Sequence, residues 1–110
     1  MKLSYHCEVG RANRVQAIID TVGLGQIVAK KYFRSPDDIF YGKPGRYLCI
    51  TDTGVTMVLT EDMETIITVY ITTYKELLNV YNGAKKIPPY LKKKVDRNQT
   101  YFIRNGKTII

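Results

Sequence analysis

The sequence predicts an α+β domain: an antiparallel sheet of about four strands packed against an N-terminal helix, with a basic C-terminal extension that ends in a hairpin. Three observations lead there. A single apolar stripe at helical spacing occupies the N-terminal region, a series of short β-branched runs separated by turn formers follows, and the net positive charge is confined to the last quarter of the chain. At 110 residues the chain fits one domain, long enough to bury one hydrophobic core but not two. Hydrophobic residues make up 45% and charged residues 25%, a globular composition that argues against wholesale disorder.

Residues 2–8 are short and mixed, fitting a brief strand or an irregular lead-in. From Gly10 to Val22, apolar Ala12, Val15, Ile19 and Val22 recur at spacings of three and four, the signature of a helix with one buried face. Gly23 and Gly25 stop it. Gly23-Leu24-Gly25 is no nucleotide loop, because it follows a helix and lacks a following Gly-Lys-Ser/Thr. Gln26 to Phe33 reads as a strand, and the turn formers of 34–45 as a loop. Arg46 to Thr51, Val55 to Thr60 and Thr65 to Thr72 read as three strands of a meander, since links of three or four residues join antiparallel neighbours. In the last strand, Ile67, Val69 and Ile71 are expected to face the core and Thr68, Tyr70 and Thr72 the other side. Thr73 to Asn82 reads as a helix, with Thr73 and Glu76 spaced as a capping box and Gly83 ending it. After Pro88-Pro89 comes a short basic stretch, Tyr90 to Val95, and then a predicted hairpin from Tyr101 to Ile110 around Asn105-Gly106. Residues 1–83 thus form the expected compact core, and residues 84–110 a basic extension docked on the same domain.

Residues 1–83 hold nine Lys/Arg and nine Asp/Glu, whereas 84–110 hold eight basic residues against Asp96 alone, so this segment carries the whole formal charge of +7. Tyr90, Tyr101 and Phe102 interleave with Lys85, Lys86, Lys92, Lys93, Lys94, Arg97, Arg104 and Lys107. Cations mixed with aromatic rings suit phosphate contact plus base stacking, which points to nucleic acid, RNA foremost, or to an acidic protein surface. The plainer alternative is a solvated, solubilising face. No apolar run approaches the roughly 20 residues that span a bilayer, and Met1 to Glu8 lacks a signal-peptide core. The expectation is a cytoplasmic protein without a membrane partner. Cys7 and Cys49 could form one disulfide, but reduced, buried thiols fit this setting better. No Cys/His cluster has metal-ligand spacing, and no cofactor motif is present.

Ser4-Tyr5-His6, followed by Arg11 and Arg14 on the first helix, and the strand Ile67-Thr68-Val69-Tyr70 resemble the compact microbial ribonuclease-toxin superfamily that includes barnase-like and RelE-like folds. The resemblance covers residues 4 to about 72 and is greatest to small phage- and bacteria-borne domains. It implies RNA-directed, metal-independent phosphodiester cleavage, and an antitoxin as protein partner. Such cleavage needs a base for the 2′-hydroxyl, an acid for the leaving oxygen and cations for the crowded phosphate. His6, the sole histidine, is the natural acid/base. Arg11 and Arg14, three residues apart, can share a helix face and grip a phosphate. Thr68 and Tyr70 would offer two hydroxyls on one sheet face, and Arg46 a further phosphate contact. Each of these also fits an ordinary structural role. The competing class is a non-catalytic module: a phage-encoded nucleic-acid-binding regulator, or an anti-CRISPR-like inhibitor of a host defence nuclease.

Overall fold

A computed structural model describes residues 2–3 and 12–104, with side chains from 15 to 102. Its elements are β1 (Lys2–Leu3), α1 (Ala12–Thr21), β2 (Ile27–Phe33), α2 (Pro36–Phe40), β3 (Arg46–Thr51), β4 (Val55–Thr60), β5 (Thr65–Ile71), α3 (Tyr74–Tyr81), a 3-10 turn at Ala84–Lys86, and α4 (Pro89–Arg104). Strand order is β1-β5-β4-β3-β2. The expected four-strand antiparallel meander is there, β2 to β5, and the two residues of β1 add a parallel strand against Thr65 and Ile66.

The apolar stripe of α1 buries Val15 and Ile18, and Gly23, at φ 82, closes the helix as its N–H reaches back to the Ile18 carbonyl. The segment 34–45, expected to be loop throughout, contains α2. Ser35 caps it: the Ser35 hydroxyl accepts from the Asp38 N–H while the Asp38 carboxylate accepts from the Ser35 N–H, and Pro36 sets the first turn. The capping box of α3 forms as its spacing predicts, between Thr73 and Glu76.

Strand β5 departs from simple alternation. Leu59 pairs with Ile66 while Val58 pairs with Thr68, so Ile67 is an extra residue in a bulge. The bulge inverts the facing of everything before it. Ile66, Val69 and Ile71 therefore enter the core, and Ile67, expected there, is only half-buried. Thr68 and Tyr70 do share the opposite face, while Thr72 is fully buried, its hydroxyl 2.8 Å from that of Thr56.

The hairpin expected over Tyr101 to Ile110 is corrected in its first half: Tyr101 to Arg104 are the last turn of α4, and residues 105–110 lie outside the described residues. Likewise the short basic stretch from Tyr90 is the beginning of this 16-residue helix. Pro89 pre-sets its first turn, and Leu91, Val95, Asn98 and Phe102, at i, i+4, i+7 and i+11, form one buried stripe. That helical period carries Tyr101 to Arg104 into the helix.

The sheet separates two buried clusters, where a single core is expected from chain length. On one face Val15 and Ile18 of α1 pack with Cys49, Met57, Leu59, Ile66 and Val69. On the other, Ile50 packs with Leu77 of α3 and with Ile87, Leu91 and Val95. Helix α4 joins them, because its Phe102 belongs to the first cluster. It crosses at the β3–β4 turn, where the Asn98 Nδ2 donates to the carbonyls of Thr53 (2.8 Å) and Gly54 (3.4 Å). Gly54 is required here twice over: its φ is 82, and a Cβ would lie 2.6 Å from the Asn98 Nδ2. Cys49 is a free thiol, fully buried, its pKa pushed up by loss of solvent. Cys7 lies outside the described residues.

Candidate nucleic-acid interface

At 100° per residue, the sequence of α4 sorts its side chains into three sectors. Leu91, Val95, Asn98 and Phe102 face the sheet. Tyr90, Lys94, Arg97 and Tyr101, spaced by four, three and four residues, run down one outer flank, with Lys93 at its margin, and Arg104 is described only as part of the α4 backbone. Asp96, the lone acid of the helix, stands on the other flank beside Lys92. Every cation of this flank with a described side chain is exposed, and so are Tyr90 at 48% and Tyr101 at 41%. The helix is about 24 Å long, so the flank offers an extended track of two positive charges with a ring at either end.

The C-terminal part of that track forms one wall of a cleft of about 330 Å³. Lys94, Arg97, Asn98 and Tyr101 come from α4, Thr21 and Val22 from the end of α1, and Thr53 from the β3–β4 turn. The floor is fixed by hydrogen bonds. The Thr53 hydroxyl donates to the Gly23 carbonyl at 2.8 Å, and Asn98 holds the turn from the other side. The Tyr101 ring rests edge-to-face on buried Phe102, centroids 5.2 Å apart. Two cations, an anchored aromatic ring and an apolar wall, with no carboxylate among the described lining residues, suit an anion attached to a flat ring system.

Of the residues singled out for catalysis, His6 and Arg11 lie outside the described residues, and Arg14 is described only as part of the α1 backbone. Thr68 and Tyr70 stand on the sheet face covered by α3, whereas α1 covers the opposite face. The structure therefore does not bring the first helix and these two hydroxyls to one point. The Tyr70 hydroxyl donates to Glu76 Oε2 at 2.6 Å, and Glu76 Oε1 accepts from the Thr73 N–H and hydroxyl. Burial, followed by the bond to Glu76 and its negative charge, raises the Tyr70 pKa far above its ordinary value. Its proton is committed to holding α3, which removes it from acid–base chemistry near neutrality.

Arg46 is exposed and lines a second cleft of about 220 Å³ at the other end of the sheet, with Lys43, Asp38 and Glu61. The mixed charges make it a poor anion site, and Glu61 already accepts from the Gly45 N–H and the Tyr32 hydroxyl. Lys85 and Lys86 are exposed on the 3-10 turn before α4, away from the first cleft, and Lys107 lies outside the described residues. Sequence reasoning missed Thr21, Val22, Thr53 and Asn98. Only Asn98 left a trace, as a polar residue within the apolar period of α4, and that trace is readable only once the segment is taken as a helix.

Among the described residues, no group of three or more His, Cys, Asp or Glu side chains could hold a metal, and no helix is long and apolar enough to cross a membrane. The chain matches no protein-family model, no curated protein and no solved structure.

Proposed function

We propose that this domain is a nucleic-acid-binding module, directed first at RNA, and that it binds through the outer flank of α4 and the cleft at its end. The supporting observation is the convergence of Lys94, Arg97 and Tyr101 on one cleft floored by Thr21, Val22 and Thr53. Lysine and arginine there neutralise phosphates, and Tyr90 and Tyr101 give unpaired bases a ring to stack on. Binding of this kind operates in the cytoplasm as a regulator. It serves equally as an inhibitor of a defence nuclease, whose nucleic-acid groove is occupied or whose guide or substrate is sequestered. The test is fluorescence anisotropy with a labelled single-stranded RNA. Wild-type protein is expected to bind it, and the Lys94→Ala/Arg97→Ala/Tyr101→Ala variant to lose most of that affinity while keeping its fold.

A ribonuclease-toxin activity is the second reading, carried by His6 as acid or base with Arg11 and Arg14 on the phosphate. It requires cleavage of mixed RNA in the presence of chelator, lost in His6→Ala with RNA binding retained, because acid–base groups act mainly in the transition state. Wild-type protein that binds RNA without cutting it leaves the binding module alone.

A further inference from the structure

We propose that the open edge of β2 is a second, separate docking surface, which takes up an extended acidic strand from a partner protein. Among the described residues β2 ends the sheet and is paired only with β3, so about half of its N–H and C=O groups point outward, a template for another strand. The edge carries three large, partly exposed apolar side chains, Val28 (42%), Tyr32 (44%) and Phe33 (41%). The loop that follows is held in place: Arg34 Nε donates to the Lys43 carbonyl at 2.8 Å, the Lys43 N–H donates to the Asp38 carbonyl at 2.7 Å, and Ser35 caps α2. This fixed loop holds out Phe40, 81% exposed, and Ile39, 57% exposed. A rigid apolar anchor loses little freedom on being covered, and this makes it an effective contact for a partner.

Charge identifies the occupant. Between Gln26 and Ser35 the chain carries Lys30, Lys31 and Arg34 and no acid. Both lysines are pinned at the edge, Lys30 over the Tyr47 ring at 5.2 Å and Lys31 to Asn79 Oδ1 at 2.8 Å, on opposite faces of the sheet. In a second copy paired antiparallel about Lys30, that lysine would meet its own counterpart on the same face, and like charges directly opposite are destabilising. A strand bearing Glu or Asp opposite either lysine reverses that sign. The Phe33 end of this surface, opposite Arg46, lies at the far end of β3 from the α4 cleft, about 20 Å along a six-residue strand, whereas its Ile27 end pairs with Thr51 near the cleft.

The experiment uses the full chain with Lys94→Ala/Arg97→Ala, so that the α4 flank does not capture acidic probes. A synthetic ten-residue peptide alternating valine with glutamate is titrated in, with amide hydrogen exchange read residue by residue. Two controls accompany it: the same peptide with lysine for glutamate, and the glutamate peptide N-methylated at alternate residues. The expected result is slowed exchange across β2, at least tenfold tighter binding of the acidic peptide than of the lysine peptide, and loss of binding on N-methylation. Equal binding of the two charge forms overturns the proposal, as does protection away from β2. So does β2 protection that appears with rising protein concentration alone, which assigns the edge to a second copy. Protection of β2 and Phe40 by phosphatidylserine vesicles but not by the peptide assigns it to a lipid surface and equally overturns the proposal.

Discussion

Replacing Phe102 with alanine removes the side chain through which the last turns of α4 enter the cluster around Val15 and Ile18. Phe102 is 1% exposed and, among the described residues, is the only one of α4 in that cluster. Truncating a buried phenylalanine costs about 3–5 kcal/mol, the lost transfer energy plus the cavity. A domain of this size has roughly 5–15 kcal/mol to lose. With a urea slope of about 1–3 kcal/mol per molar, the unfolding midpoint should fall by one to several molar. The neighbouring Tyr101→Ala is the control, since its ring is 41% exposed and packs edge-to-face on Phe102. It should cost about 1 kcal/mol or less. Equilibrium urea unfolding followed by far-UV circular dichroism gives both numbers. A Phe102→Ala cost under about 1 kcal/mol, or equal costs for the two variants, would refute the docking of α4 across the end of the sheet. The cleft, which depends on that docking, would go with it.

Val69→Asp should unfold the domain, because Val69 is 1% exposed and a carboxylate there has no partner. Ile67→Asp, on the bulge and half-buried, should leave a cooperative transition in the same urea titration. Tyr70→Phe should cost about 1–2 kcal/mol at pH 7, the worth of a hydrogen bond to a carboxylate. It should also flatten the alkaline limb. The folded-state pKa of Tyr70 is raised, so its contribution is complete below the unfolded value near 10 and is lost as pH rises above it. Stability measured from pH 8 to 11 should therefore fall less steeply in Tyr70→Phe than in wild type, with a residual slope from Tyr32 and Tyr81, whose pKa values are also raised.

Helix α1, strands β2 to β5 and helix α3 were legible because each is specified locally, by apolar period, by short turns or by the Thr73–Glu76 box. Helix α2, the bulge at Ile67 and helix α4 were not. The bulge at Ile67 is decided by how Val58 and Leu59 pair across the sheet, and nothing in Ile66-Ile67-Thr68 announces it. Helix α4 was concealed by its own basic composition and by Asn105-Gly106, although Pro89 and the spacing of Leu91, Val95 and Phe102 recorded it. The cations and tyrosines of the interface were all visible as residue types. Their convergence was not, because Thr21, Val22 and Thr53 reach the cleft from elements 40 or more residues earlier in the chain, through packing that α4 completes.

The most direct test of the central claim is the salt dependence of RNA binding. Three to four cations on the α4 flank predict a slope of log affinity against log salt of roughly −2 to −3 for a single strand, at about −0.7 per phosphate neutralised. Anisotropy titrations between 50 and 200 mM salt measure it for wild type, for Lys94→Ala/Arg97→Ala, and for Arg46→Ala at the other end of the sheet. The account predicts that the double variant reduces the slope by about 1.4, two phosphate contacts, while Arg46→Ala leaves it unchanged. A slope that the double variant does not alter, or that Arg46→Ala lowers as much as the loss of one flank cation, would contradict it.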